Sequence, residues 1–187
     1  MSPLNAALIF MPAAISGIHA PVLPFLPFLV YRSGMMKKIL FLCSGNYYRS
    51  RMAEEYFNHC AARDGMDWQA DSMALRSDLE MTGNEGPLSL NALNQLRGHN
   101  IPIRNADRMP RTLLPDKLPL FSRIVAMSRR EHEPMIRQIC PDIFSRLEYW
   151  EIGDIGVDLP EEAFEKVRRN VDRLIVQLKR EQECIHD

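Results

Sequence analysis

Cys43 and Arg49 stand with five residues between them in the run ILFLCSGNYYRSRMAEEYF, residues 39–57. The apolar start reads as a buried strand, and a cysteine at its end serves by default as a small core residue. The residues beyond Cys43 do not read as core. Ser44, Gly45, Asn46, Tyr47 and Tyr48 form a short loop, and a helix begins near Ser50. A glycine-containing loop of this length can curl so that successive backbone N–H groups converge on one anion. The helix start aims its unsatisfied N–H groups and its dipole at the same point. Arg49 can add a bidentate clamp on two phosphoryl oxygens, and such a field favours thiolate over thiol. The chemistry these residue types imply is a phosphate cradle with a nucleophile at its floor.

The elements around the loop must deliver Cys43 to a sheet edge. Lys37–Leu42 has the composition of a strand buried on both faces, and Ser50–Arg63 repeats apolar residues at helical spacing. Asp67–Asp71 reads as a short strand, residues 76–87 as a loop, and Leu88–His99 as a helix. Residues 104–120 are rich in Pro and Arg, with one short helix expected around Leu113. Phe121–Met127 is the next buried strand, Arg129–Ile139 its helix, and Leu147–Ile152 a short strand entering the loop Gly153–Pro160. Glu161–Glu183 is a long amphipathic helix whose acidic first turn suits its positive end. Alternating strands and helices predict an α/β fold: a single three-layer domain with a four-stranded parallel sheet flanked by helices. Ligands in such folds sit beyond the carboxyl ends of the strands, which is where Cys43 falls.

The chain has 187 residues, enough for one domain with a proper core. A formal net charge of −1 offers no basic surface for nucleic acid or an anionic membrane. The four cysteines, Cys43, Cys60, Cys140 and Cys184, are widely spaced, without metal-like pairing. They fit a reduced, cytoplasmic protein better than a disulfide framework. No cofactor and no metal is called for. Residues 1–35 differ from the rest: Ser2–Tyr31 carries no charged side chain, and Pro3, Pro12, Pro21, Pro24 and Pro27 interrupt it. Those prolines argue against an uninterrupted spanning helix. The expected organisation is an apolar extension outside the fold over 1–35, with a membrane-associated segment as the alternative, and an α/β domain over 36–187.

The stretch FLCSGNYYRSRMAE resembles the signature of the low-molecular-weight protein tyrosine phosphatases, C-x-G-N-x-x-R-S followed by M/I-A-E. Cys43, Gly45, Asn46, Arg49, Ser50, Ala53 and Glu54 match it. WQADSMA, residues 68–74, is similar to the family's second strand, and FSRIVAM, residues 121–127, to its third. The resemblance implies that Cys43 attacks phosphorus to give a phosphocysteine and that Arg49 binds the phosphoryl oxygens. It implies that Asn46 shapes the loop, that Ser50 hydrogen-bonds the thiolate and that Ser72 braces Asn46. Ser44, Tyr47 and Tyr48 complete the loop. The family also supplies a general acid from a late loop, and WEIGDIGVDLPEEAFE, residues 150–165, offers two aspartates. Asp154 matches the family position best; Asp158 is the alternative, or else caps the last helix.

The chain also departs from the pattern. Tyr48 replaces the loop's usual second cysteine, Arg51 the proline after R-S, and Ile155 the proline after the acid. The aromatic pair that lines the family's substrate pocket is missing, and Tyr47 and Tyr48 are expected either to line the cleft or to pack against the Pro-rich loop. The expected function is phosphomonoester hydrolysis on a phosphorylated protein or a small phosphomonoester. The alternatives are a non-catalytic phosphate- or phosphoprotein-binding module and a thioredoxin-coupled arsenate reductase, which needs a further pair of neighbouring cysteines. Oligomeric state is not legible.

Overall fold

The structure, a computed structural model, describes residues 36–184. The apolar extension expected over 1–35 lies outside the described residues. Four strands, β1 (Lys37–Cys43), β2 (Trp68–Ala74), β3 (Arg123–Ala126) and β4 (Leu147–Tyr149), form one sheet in the order β2-β1-β3-β4. Every pairing is parallel, with Cys43 opposite Ala74 and Leu42 opposite Ala126. The expected α/β architecture is therefore the observed one.

Four helices cover the sheet: α1 (Arg49–Arg63), α2 (Leu90–Gly98), α3 (Arg129–Ile139) and α4 (Pro160–Glu183). Because side chains alternate along a strand, β1 feeds two cores. Ile39 and Phe41 join Met52, Phe57, Phe164, Val167 and Val171 on one face. Leu40 and Leu42 join Leu118, Phe121, Ile124 and Ile136 on the other. The chain leaves β1 toward β2 on one side and later returns toward β3 on the other. That reversal opens a crevice at the carboxyl end of β1, and Cys43 stands there.

Several boundaries differ from expectation for identifiable reasons. β2 runs on to Ala74 because it pairs with β1 residue for residue, so Ser72 lies inside the strand. β4 stops at Tyr149, yet Trp150 N–H and Ile152 N–H still donate to Ala126 and Met127 carbonyls at 3.0 and 2.7 Å. The segment after β4 thus stays fastened to β3 up to the late loop. The short helix expected around Leu113 is displaced: Thr112 bridges Ala74, and Pro115–Leu120 forms the 3-10 turn. Proline at its first position supplies the φ that a turn start needs. Among the described residues, no helix is long and apolar enough to cross a membrane.

Candidate active site

β1 ends at Cys43, α1 begins at Arg49, and residues 44–48 form the loop between them at the sheet's carboxyl edge. Leu75 N–H and Arg76 N–H donate to the Cys43 and Ser44 carbonyls at 2.9 and 3.1 Å, so the chain beyond β2 holds the start of the loop. No side chain caps α1 at Tyr48, and its first turn carries no acidic residue. Its leading N–H groups therefore have no side-chain cap, the condition under which a helix start can receive an anion. A Cβ at Gly45 would stand 3.0 Å from Asn84 Nδ2, so a larger residue there would push that exposed side chain aside.

Cys43 is buried, and its Sγ lies 3.0 Å from Ser50 Oγ. Asn46 adopts a left-handed φ of 49°, a conformation that asparagine tolerates better than most residues. Its Nδ2 donates to Ser72 Oγ at 2.7 Å and to Ser50 Oγ at 3.2 Å. Its Oδ1 accepts from Arg111 N–H at 3.0 Å. Ser72 Oγ in turn donates to Glu54, which also pairs with Arg108. Burial pushes the Glu54 carboxyl up, against the pull of Arg108 and Ser72. The expected positions of Ser50, Asn46 and Ser72 thus meet in one chain of hydrogen bonds beneath the loop.

Arg49 is 1% exposed and almost fully partnered. Nη1 and Nη2 donate to Glu131 Oε1 and Oε2 at 3.0 and 2.8 Å, a two-pronged pair across the end of the guanidinium. Nη1 also reaches the Ile152 carbonyl at 3.2 Å, and Nη2 reaches Asp154 Oδ2 at 2.6 Å. Nε–H is buried without a partner. Burial opposes the Arg49 charge, but the Glu131 hydrogen bonds, with Cys43 and Asp154, outweigh it and hold its pKa above the ordinary value. Partial burial likewise opposes ionisation of Glu131, and Arg49 more than offsets this, so its pKa sits low.

The two aspartates of the late loop have different surroundings. Asp154 is half-buried and faces Arg49. Asp158 accepts Gly153 N–H at 2.7 Å and pairs with Lys166 at 2.6 Å. Partial burial would raise its pKa, but the Lys166 and Gly153 hydrogen bonds hold it low. The alternative role of Asp158 as a helix cap is not observed: Leu159 is the N-cap of α4, and the Asp158 carboxylate turns back to Gly153.

The two loop tyrosines separate. Tyr47 is partly exposed, donates to the Glu85 carbonyl at 2.6 Å and accepts Ser89 N–H at its own carbonyl at 3.1 Å, which fastens it to the 85–89 segment. Tyr48 points into the core, 3% exposed with its hydroxyl unpartnered, so it lines no open cleft. Burial, with the negative charges of Asp154, Asp158 and Glu161, pushes its pKa up to about 12. Arg51 is fully buried and donates to the Pro87, Arg108 and Asn105 carbonyls at 3.0, 2.9 and 2.7 Å. It ties the 87–108 chain to α1.

Sequence reasoning missed Glu131, His132, Arg108 and Arg111. All four are distant in the chain from Cys43, and no motif marks them. The other cysteines stay far apart: Cys60 and Cys140 are buried in the two opposite cores, and Cys184 is exposed at the end of α4.

The family model for low molecular weight phosphotyrosine protein phosphatase matches residues 38–183. The chain belongs to this family. Among solved structures, the phosphatase-family chain is similar to YfkJ from Bacillus subtilis, with TM-score 0.69 and 22% identity, covering 80% of this chain and 98% of that one. It is also similar to SP-PTP, a low molecular weight protein tyrosine phosphatase from Streptococcus pyogenes, with TM-score 0.65, 19% identity and coverage of 76% and 93%. A thioredoxin-dependent arsenate reductase from Corynebacterium glutamicum shares the fold at TM-score 0.59 and 19% identity, covering 79% of this chain and 64% of that one. No curated protein matches the sequence. At these identities the structural likeness speaks to the fold of this family member.

Proposed function

We propose that the protein hydrolyses phosphomonoesters through a phosphocysteine on Cys43, with Arg49 binding the phosphoryl group and Asp154 moving the proton. The observation that carries this reading is the contact of Arg49 with Asp154 at one end of a loop that has Cys43 at the other. The thiolate sulfur attacks phosphorus and the bond to the leaving oxygen breaks, while the Asp154 carboxyl gives that oxygen a proton. Water then attacks phosphorus, Asp154 takes its proton, and the P–S bond breaks to release orthophosphate and the thiolate. The phosphoryl oxygens meet Arg49 and the free N–H groups of the loop and of the first turn of α1, donors already in place where charge develops. Nε–H of Arg49 is the donor with no other partner, and Nη2 beside it is shared with Asp154 alone on that side.

Ser50 steadies the sulfur, and Asn46 and Ser72 hold the loop's curvature. The substrate class is a phosphorylated protein or a small phosphomonoester. An arsenate-reductase reading needs two further cysteines that can meet Cys43, and the placement of Cys60, Cys140 and Cys184 gives it no support.

The test is hydrolysis of an aryl phosphate by the full chain without added metal. Turnover is expected from the wild type and none from Cys43→Ser. Turnover by Cys43→Ser at the wild-type rate would exclude the mechanism. Phosphate binding without wild-type turnover would point to a binding module.

A further inference from the structure

Two consecutive residues on α3, neither part of the loop signature, reach opposite ends of the loop. Glu131 holds Arg49, the last residue of the cradle, through both of its carboxylate oxygens. His132 lies 3.2 Å from Ser44 Oγ through Nε2, directly beside the nucleophile in sequence. Neighbouring residues on a helix diverge by about 100°, so one turn can serve two targets.

The turn itself is fixed. Ser128 Oγ accepts Glu131 N–H at 3.4 Å, capping the helix, and Ser128 N–H donates to His132 Nδ1 at 3.0 Å. A ring nitrogen that accepts a backbone N–H carries no proton itself. In the neutral ring the proton therefore sits on Nε2 and is donated to Ser44 Oγ. His132 has no exposed surface, so the tautomer, the ring plane and the Ser44 hydroxyl are set together. Its Nε2 also stands 3.7 Å from Glu131 Oε2, which joins the two prongs.

We propose that the first turn of α3 is a brace for the phosphate loop, Glu131 being a positioning residue that acts through Arg49 and His132 one that acts through Ser44. Glu131 occupies the end of the guanidinium, the Nη1 and Nη2 pair, and leaves Nε–H and the second Nη2 hydrogen directed along its side. That side is the fork available to two phosphoryl oxygens once Asp154 turns from Arg49 to the leaving group. The carboxylate of Glu131 is thus a fixed backstop and not a competitor for the substrate. His132 does the equivalent for the other end, holding Ser44 so that the loop's N–H groups keep their convergence.

In its kinetic arm the inference rests on the phosphatase reading, so the experiment includes an arm that needs no turnover. Orthophosphate protection of Cys43 against iodoacetate alkylation is measured in the full chain, beside kcat and KM on an aryl phosphate. Glu131→Gln is expected to weaken orthophosphate protection and kcat/KM each by about tenfold, because a misaimed guanidinium loses its near-ideal geometry. Tighter protection in Glu131→Gln would overturn the proposal, since it would make Glu131 a competitor. Glu131→Gln keeps the side-chain volume and carries the test where Glu131→Ala does not fold.

For the second prong, His132→Phe and Ser44→Ala are each expected to lower kcat by about tenfold. The double variant should be no worse than either, and His132→Gln, which restores an N–H, should recover part of the loss. Losses that multiply in the double variant would overturn this prong. Absence of wild-type turnover with intact orthophosphate protection would remove the phosphatase reading and leave the brace to be judged by the protection data.

Discussion

Asp154 Oδ2 and Arg49 Nη2 stand 2.6 Å apart, so the proposed acid and the proposed phosphoryl-binding arginine hold each other. In the proposed mechanism an entering phosphoryl dianion replaces Asp154 on that fork and frees the carboxyl to face the leaving oxygen, so that the same contact couples binding to proton transfer.

That coupling separates the two aspartates of the late loop. Asp154→Asn should slow turnover by about a hundredfold, the usual scale of a lost general acid. The loss should be larger for an alkyl phosphate than for a nitrophenyl phosphate, whose leaving oxygen needs no proton. Asp158→Asn leaves Gly153 N–H and Lys166 poorly paired. It should cost about 1–3 kcal/mol of stability with a smaller effect on rate. Rates on both substrates, together with denaturant midpoints, distinguish the two; the reverse order would assign the acid to Asp158.

Asn46 combines a left-handed backbone with four side-chain partners, Ser50, Ser72, Arg108 and Arg111. Asn46→Ala loses the hydrogen bonds and also the backbone tolerance, whereas Asn46→Gly loses only the bonds. Glycine should therefore be the milder change by about 1 kcal/mol in chemical unfolding. Both variants should bind orthophosphate more weakly. Equal stability of the two would mean that the loop does not keep its φ of 49° in solution.

Arg51 stands where the related signature has proline, and its fully buried guanidinium joins Glu54, Glu55 and three carbonyls. Arg51→Met removes one member of a buried charge group and should destabilise the protein by about 3 kcal/mol. Residues 104–111 should lose their anchor first. Hydrogen exchange in that segment is the direct measurement, and unchanged protection there would refute the anchoring role.

His132 gives a pH signature. Burial, with the nearby Arg49 charge and against the pull of Glu131, lowers its pKa from 6.5 to about 4. The unfolded chain takes up a proton at this residue before the folded one does, so stability falls as the pH drops between these values. The contribution is fully present above about pH 6.5 and should fall by about 2 kcal/mol from pH 7 to pH 5. Urea midpoints at both pH values should show this loss in the wild type and a flatter profile in His132→Phe. Equal slopes would show that the ring is not buried in its neutral form.

Much of the fold was legible because its signals are local. The apolar run Lys37–Leu42, the break at Ser44–Tyr48 and the long stripe of α4 each lie within one stretch of chain and are set by periodicity. The residues of the candidate loop were legible for the same reason, since Cys43, Asn46, Arg49 and Ser50 are neighbours in sequence. By itself, the sequence determined a parallel α/β domain with a short glycine-containing loop between the end of its first strand and its first helix.

The tertiary structure decided what surrounds that loop. Glu131 and His132 meet it only because β3 lies beside β1 and lifts the start of α3 to the same sheet edge. Arg108 and Arg111 meet Asn46 only because Thr112 bridges Ala74 at the end of β2. The sequence prefers Asp154 to Asp158 only by resemblance, and it is the tertiary structure that gives Asp158 the partners Lys166 and Gly153 N–H and sets Asp154 against Arg49. Charges choose partners by distance in space, and that distance is not written in a local pattern.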